Sequence, residues 1–307
     1  MVDLERVLAY PGRRACETEY RVRLADGRQI ACLGLGDPHG PAVLYFHGFP
    51  GSRLEARVMA DAASRTGVRL LAIDRPGFGE STFQPGRRIR QWSADICAVT
   101  DALGIPRFSI VGMSAGAPYA LACAAALAAR LDQVALVSPL GPLDGGHWPR
   151  GMIGRNRMLL ALAARAPALA RGAAHLITAW IRLGGDRHLR FMMAGLHSPD
   201  RDLFADPGYR SMMTENMMEA LRQGGRGAAW ELTLIAQPWD LRLEDVRRRV
   251  RLWQGLADEI LPAALAQNLA RTLPACAARY LPTEGHLSLM AHHIGEVLDD
   301  LITADDP

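Results

Sequence analysis

The sequence contains no lysine, and all 35 of its basic residues are arginine. A chain without lysine has no side-chain amine, which excludes a lysine nucleophile and a Schiff-base mechanism. The net charge is only +3, and the arginines are spread along the chain, so we expect no nucleic-acid partner. We interpret the arginine runs as solvent-exposed faces; they are Arg87-Arg88 with Arg90, and Arg247-Arg248-Arg249 with Arg251.

Cysteine is also scarce, with five residues far apart and no CxxC pair. This pattern predicts neither a disulfide framework nor a zinc site, and it favours a cytoplasmic location. The N-terminal residues do not resemble a secretory signal, and no apolar run is long enough to span a membrane. We therefore expect no membrane partner, and the sequence makes no prediction of oligomeric state.

What the 307 residues do contain is an alternation of short apolar runs with helical stretches. A hairpin of Glu17–Leu24 and Arg28–Gly34 comes first. Apolar strands joined by helices then predict a parallel sheet that is covered on both faces. The predicted strands are Ala42–Phe46, Arg69–Ile73, Phe108–Val111, Val134–Val137, Val250–Trp253 and Ala277–Leu281; the predicted helices lie near Leu54–Arg65, Gln91–Leu103, Ala117–Arg130, Ala263–Arg271 and Leu287–Leu301.

The alternation stops over residues 140–239, where the pattern is helical. This divides the chain into a first half of a core domain (1–139), a helical cap or lid (140–239) and a second half of the core (240–307). The insertion holds eight of the twelve methionines, which either fill helical core or form a pliable apolar wall over a site. As residues that contact a medium or large, partly apolar substrate, we predict Met113, Met192, Met193, Met213 and Met217.

The strongest motif is Gly112-Met113-Ser114-Ala115-Gly116, which lies directly after an apolar strand and directly before a helix. A lone match to G-x-S-x-G could be a turn with a capping serine. In this strand-to-helix context, however, the motif predicts an exposed nucleophilic hydroxyl on Ser114.

A serine nucleophile needs a base and a carboxylate that orients the base. His286 follows the last predicted strand, and we predict that it is the base. The loop after the preceding strand offers Asp258 and Glu259; we predict Asp258 as the orienting acid and Glu259 as a solvent-facing or helix-start residue.

The other histidines are given lesser roles. His47 is expected to shape a turn, and His292 and His293 to be surface or packing residues. Those in the insertion, His147, His175, His188 and His197, are candidates for substrate contact.

Cleavage of an acyl bond also needs donors for the developing oxyanion. The segment His47-Gly48-Phe49-Pro50 ends the first central strand, so we predict that the backbone N–H groups of Phe49 and Ala115 form the oxyanion hole. The segment 74–81 lacks the spacing and the lysine of a P-loop, and we interpret it as a structural loop near the active-site end.

Taken in order, these motifs resemble the α/β-hydrolase superfamily over nearly the whole chain. They are His47-Gly48-Phe49-Pro50-Gly51, the segment 74–79, the serine motif, Gly255 to Asp258 with Pro262, and Gly285-His286. The resemblance implies an eight-stranded, mostly parallel sheet with a helical cap, and no metal or organic cofactor.

Particular branches of the superfamily share parts of this layout. The His-Gly-Phe-Pro segment and the cap resemble those of epoxide hydrolases, and the cap placement is similar to that of haloalkane dehalogenases. Both families use an aspartate nucleophile where this chain has Ser114. Proline iminopeptidases also resemble the layout, but their recognition of a free amino terminus is not visible here.

The sequence therefore favours a serine hydrolase that cleaves a small-molecule ester or lactone through an acyl-Ser114 intermediate. Two alternatives remain open. One is a carbon–carbon bond hydrolase or a lyase that uses the same triad, since fold does not fix chemistry. The other is a ligand-binding homologue with negligible turnover.

Overall fold

The structure is a computed structural model that describes residues 7–11, 17–143, 151–196 and 199–303. Within these residues it contains one sheet of nine strands, in the order β1-β2-β3-β5-β4-β6-β7-β8-β9. The first pairings, as far as β3 with β5, are antiparallel, and all pairings from β5 to β9 are parallel. The strands are β1 Val7–Pro11, β2 Thr18–Arg23, β3 Gln29–Gly36, β4 Ala42–Phe46, β5 Arg69–Ile73, β6 Phe108–Met113, β7 Leu131–Val137, β8 Val250–Gly255 and β9 Cys276–Leu281.

Helices cover both faces of the sheet. Residues of α2, α3 and α10 form one buried apolar cluster with the sheet, and residues of α1 and α11 form a second cluster on the opposite face. This confirms the predicted fold class, to which β1 adds a ninth, edge strand. The helices are α1 Ala60–Thr66, α2 Trp92–Ala102, α3 Ala117–Ala126, α4 Gly154–Arg165, α5 Pro167–Gly184, α6 Asp186–Met193, α7 Asp200–Leu203, α8 Pro207–Ala220, α9 Arg226–Ala236, α10 Ala263–Thr272 and α11 Ser288–Ile302.

The central strands are mainly apolar because both of their faces are buried. In β4, Leu44 and Phe46 pack into one cluster while Val43 and Tyr45 pack into the other. Successive side chains of a strand point to opposite faces, so a strand between two helical layers reads as an unbroken apolar run.

The predicted helix near Leu54–Arg65 is two elements. A 3₁₀ helix covers Arg53–Met59, and α1 follows and is capped by Gly67, which has a φ of +68°. The backbone N–H of Arg53 donates to Asp74 at 2.6 Å, and the side chain of Ser52 accepts from the N–H of Leu54. The bond to Asp74 ties the first turn to the loop after β5, and the bond to Ser52 caps that turn; 3₁₀ turns are frequent at the start of a helix.

One interpretation of the arginine runs is wrong. Arg88 and Arg90 are exposed as expected, but Arg87 is buried and contacts the Glu231 carboxylate and the Tyr119 hydroxyl. Burial of a guanidinium requires such partners, and they lie far away in the sequence.

Between β7 and β8 the described chain is helical, as predicted, and contains α4 to α9. The domain boundaries at 139 and 239 remain a prediction. No helix among the described residues is long and apolar enough to cross a membrane.

Candidate active site

Ser114 lies in the sharp turn between β6 and α3, with a φ of +52° that few residues other than glycine adopt. Two glycines make room for this turn. A Cβ at Gly116 would lie 2.1 Å from the carbonyl oxygen of Phe46, and a Cβ at Gly112 would lie 2.8 Å from the Cβ of Ala120. The serine is thereby held at the carboxyl end of the central strands, where it lines a cavity.

His286 and Asp258 meet beside the same cavity. Nδ1 of His286 lies 2.8 Å from Oδ2 of Asp258, which also accepts from the side-chain amide of Gln254 at 3.1 Å. Oδ1 of Asp258 accepts the backbone N–H groups of Ile260 at 2.9 Å and Leu261 at 2.7 Å. A buried carboxylate with this many donors is fixed in place, and it leaves Nε2 as the free nitrogen of the imidazole.

Burial disfavours the protonated form of His286, but three carboxyl groups oppose that effect. The structure places Asp258, Asp200 and Glu55 around the imidazole, and their combined effect raises the pKa of His286 above its ordinary value. An imidazole in this setting is a stronger base than a free histidine side chain.

The loop after β4 carries the predicted oxyanion donor. The N–H of Gly48 donates to the buried carboxyl group of Glu55 at 2.6 Å, so it is not available to a ligand. A Cβ built on Gly48 would contact both neighbours, at 3.3 Å from Oε1 of Glu55 and 3.5 Å from the Cβ of Ser114. Glu55 is therefore close to the serine. Burial raises the pKa of Glu55, and the Gly48 N–H opposes that rise. Phe49 lines the cavity together with Ser114 and Ala115.

His47 holds this loop in shape, as predicted. Its Nδ1 lies 2.9 Å from the carbonyl oxygen of Gly48, and its Nε2 accepts the N–H of Arg75 at 3.2 Å. Burial and the nearby Arg75 guanidinium lower the pKa of His47 well below its ordinary value, so the ring is neutral. The same guanidinium donates to the carbonyl oxygens of His47 and Gly48.

Glu231, on α9, connects the helices between β7 and β8 to this loop. Its carboxylate pairs with Nε of Arg75 at 2.8 Å and with the guanidinium of Arg87, and it accepts the hydroxyl of Tyr119 at 2.7 Å. Burial opposes ionisation, but the two guanidinium groups outweigh it and lower the pKa of Glu231. Arg75 therefore stabilises the loop that carries Phe49, and Glu231 of α9 holds Arg75 in place.

Asp200, at the start of α7, makes a second connection, directly to the predicted base. Its Oδ2 accepts the backbone N–H of His286 at 2.8 Å. Its Oδ1 accepts the N–H groups of Leu287 at 2.9 Å and Ser288 at 3.0 Å. These donors are at the N-terminus of α11, where helix amides have no partner within the helix. Asp200 thus fixes the backbone from which the imidazole projects.

Helix α8 makes two more buried polar contacts with the core. Oδ1 of Asn216 accepts the N–H and the hydroxyl of Ser52 at 2.9 Å and 2.8 Å, and Glu219 pairs with Arg53 at 2.7 Å. Four side chains between β7 and β8 therefore anchor that segment to loops of the site.

The cavity has a volume of about 370 Å³, within the usual range for a small-molecule site. It is lined mainly by apolar side chains from α4, α5, α6, α8 and α9, and Ser114, His286 and Glu55 also line it. All five methionines predicted to contact a substrate line it; they are Met113, Met192, Met193, Met213 and Met217.

The remaining predicted candidates lie elsewhere. His188 stacks on Trp180 with ring centroids 3.7 Å apart, and neither His188 nor His175 lines the cavity. His147 and His197 are outside the described residues. His292 and His293 pair with Glu284 near the surface, as expected.

Asp200, Glu55, Glu231 and Arg75 were not singled out from the sequence. Asp200 is 86 residues from His286 in the chain, and its only local signal is its position at the start of a short helix. Glu55 could have been suspected, since an acid within an otherwise buried segment requires a donor. Among the described residues, no group of three His, Cys, Asp or Glu side chains is arranged to hold a metal ion.

The chain combines a parallel sheet with a strained serine turn after a central strand. This combination is typical of a known family of proteins. A family model described as alpha/beta hydrolase fold matches residues 41–292. The protein belongs to this family.

Individual relatives are more distant. Epoxide hydrolase B of Mycobacterium tuberculosis is 37% identical over 87 residues, which are 27% of this chain and 24% of that protein. An enol-lactonase from Burkholderia xenovorans superposes with a TM-score of 0.66 at 19% identity over 92% of this chain and 99% of the other. An esterase from Rhodococcus superposes with a TM-score of 0.65 at 19% identity over 94% and 99%. The two superpositions show a shared fold, and the matched segment spans about a quarter of the epoxide hydrolase.

Proposed function

We propose that the protein is a serine hydrolase that cleaves a carboxylic ester or a lactone through an acyl-Ser114 intermediate. The observation that carries the proposal is the bond between His286 and the buried, fully bonded carboxylate of Asp258, beside the cavity that Ser114 lines. A histidine oriented by a carboxylate is what a serine hydroxyl needs to become a nucleophile.

In the proposed reaction, Nε2 of His286 takes the proton of the Ser114 hydroxyl while the serine oxygen bonds to the substrate's carbonyl carbon. The tetrahedral intermediate collapses, and the bond to the leaving alkoxide breaks while His286 returns the proton to it. Water then attacks the acyl-serine, again giving its proton to His286, and the acid leaves with Ser114 restored.

The proposed oxyanion hole consists of the N–H groups of Phe49 and Ala115. Ala115 is in the first turn after the serine, where backbone N–H groups lack helical partners. Glu55 already occupies the neighbouring N–H of Gly48, which favours Phe49 as the donor from this loop. Preorganised donors of this kind stabilise the charge that develops in the transition state.

The proposed substrate is a small molecule with a substantial apolar part. The cavity is about 370 Å³, and methionine walls adapt to bulky apolar groups. In this proposal, residues 140–239 form the cap over the site. The enol-lactonase and esterase neighbours are compatible with cleavage of an acyl bond. The epoxide hydrolase relative is a weaker guide, since Ser114 occupies the position where the resemblance implies aspartate.

A cytoplasmic location is part of the proposal. Its support is that the described cysteines Cys32, Cys97, Cys123 and Cys276 are all free thiols, as is usual in a reducing compartment.

The proposal is tested with p-nitrophenyl esters of graded chain length and lactones of several ring sizes. We expect wild type and Ser64→Ala, an exposed serine on α1, to hydrolyse the same members of the series. Ser114→Ala is expected to lose at least about a thousandfold in kcat. Equal turnover by Ser114→Ala would refute the acyl-serine route, and absence of turnover of every ester and lactone by the wild type would refute ester hydrolysis.

A further inference from the structure

Helix α5 has two apolar stripes, only one of which faces the protein. Its buried residues are Ala170, Ala174, Thr178 and Ile181. Leu169, Leu176, Trp180 and Leu183 are separated by seven, four and three residues, so at 3.6 residues per turn they share a different face of the helix. All four side chains are exposed.

Neighbouring helices extend this outer stripe. Phe191 of α6 contacts Trp180 edge to face, with ring centroids 5.8 Å apart, and Met158 is exposed on α4, which packs against α5. We call these six side chains the α4–α6 face. Apart from Trp180, the side chains of this face are between 67% and 88% exposed. A cluster of large exposed apolar side chains on adjoining helices is typical of an interaction surface.

Arginine dominates the polar positions of the same helices. Residues 154–193 contain seven arginines and one acidic residue, Asp186. Asp186 is paired with Arg190 at 3.1 Å and with Arg210 at 3.2 Å. The positive excess of this segment is larger than the +3 of the whole chain, so the rest of the protein carries net negative charge. Six of the seven arginines are exposed; they are Arg155, Arg157, Arg165, Arg182, Arg187 and Arg190.

The cavity opens beside the α4–α6 face. Met158, Ile177 and Arg155 line the cavity and are also exposed, so they lie at its mouth. Whatever docks on the face is therefore next to the entrance.

We propose that the α4–α6 face docks on an anionic lipid surface. An apolar stripe flanked by arginine is the combination that places a helix in the interface of a membrane with negative headgroups. A second copy of this chain is disfavoured as the occupant, since a symmetric dimer would bring the same arginine-rich face against itself. The proposal departs from the expectation of no membrane partner, which rested on the absence of a spanning segment.

Docking would let an apolar ester pass from the lipid into the cavity without crossing water. This consequence rests on the proposed function, whereas the docking itself does not. The test therefore measures binding without substrate, in wild type and in Ser114→Ala.

The experiment is co-sedimentation with vesicles of phosphatidylcholine alone and of phosphatidylcholine with an equal amount of phosphatidylglycerol. We expect binding to the anionic vesicles at least about tenfold tighter than to the neutral ones, weakened by about 0.5 M salt. Ser114→Ala is expected to bind like wild type. Arg182→Gln with Arg187→Gln should weaken binding about fivefold per arginine removed, and Leu176→Ser with Leu183→Ser should weaken it at least tenfold.

The matched control is Arg247→Gln with Arg249→Gln. These exposed arginines lie just before β8, at the opposite end of the sheet from Ser114, and their removal should leave binding unchanged. Absence of vesicle binding, or equal weakening by this control, would overturn the proposal. So would a dimer in light scattering that dissociates on Leu176→Ser with Leu183→Ser, since the occupant would then be a second copy.

Discussion

Asp200 provides the sharpest prediction about the base, because one side chain from the helical segment holds the backbone of His286. Its two carboxylate oxygens accept three consecutive N–H groups at 2.8 to 3.0 Å, and the residue is buried. Hydrogen bonds to a charged group contribute about 1.5–3 kcal/mol each and are not additive. We therefore expect Asp200→Ala to lower the free energy of unfolding by about 3–5 kcal/mol.

Asp200→Asn separates positioning from stability. The amide retains one acceptor oxygen but loses the negative charge near the imidazole, one of the charges that raise the pKa of His286. The base must be neutral to accept a proton, so loss of this charge should move the acid limb of kcat/KM to lower pH. Displacement of the imidazole should also lower kcat about 10- to 100-fold.

The matched control for Asp200→Asn is Asp206→Asn. Asp206 also caps a helix of this segment, accepting the N–H of Tyr209 at 2.6 Å, but it is exposed and caps α8 instead of α11. Because asparagine caps a helix about as well as aspartate, the control should change the free energy of unfolding by about 0.5 kcal/mol or less and leave the acid limb in place. Urea unfolding and pH–rate profiles measure both effects. An unchanged acid limb and a kcat within twofold of wild type in Asp200→Asn would show that Asp200 has only a structural role.

Three further predictions address the rest of the site. Asp258→Asn should lower kcat by about three to four orders of magnitude, because the imidazole loses its orienting carboxylate; steady-state kinetics would contradict this with a loss below tenfold. The pKa of His286 is raised above the ordinary 6.5, so kcat/KM should rise with pH and reach half its plateau above pH 6.5, and a midpoint below that value would contradict the assigned environment. Glu231→Gln should lower the free energy of unfolding by about 3–5 kcal/mol, because Arg75 and Arg87 would then be buried without a counter-charge; a change below 1 kcal/mol in urea unfolding would contradict it.

The central strands could be predicted from the sequence because both of their faces are buried. Ala42–Phe46 and Arg69–Ile73 have the predicted bounds, since burial on two faces leaves a continuous apolar signal. Strand β1, Val7–Pro11, was missed. Among the described strands it pairs only with β2, at the edge of the sheet, and a short edge strand does not require a continuous apolar run.

The predicted site residues were found through local signals, whereas the side chains that support them were not. Ser114 has glycines that its turn requires, and His286 and Asp258 follow strands. Asp200 has its role only because α7 folds back onto α11, and nothing near it in the sequence indicates that contact. Arg87 was taken as solvent-exposed for the same reason, since its partner Glu231 is 144 residues away.

The central claim is that Ser114 is a nucleophile activated by His286. Its most direct test is treatment of the folded protein with a fluorophosphonate, followed by intact-mass and peptide measurement. We expect one adduct, on the peptide that contains Ser114, with no adduct in Ser114→Ala and slow labelling in Asp258→Asn. An unlabelled wild type, or labelling that persists in Ser114→Ala, would contradict the account.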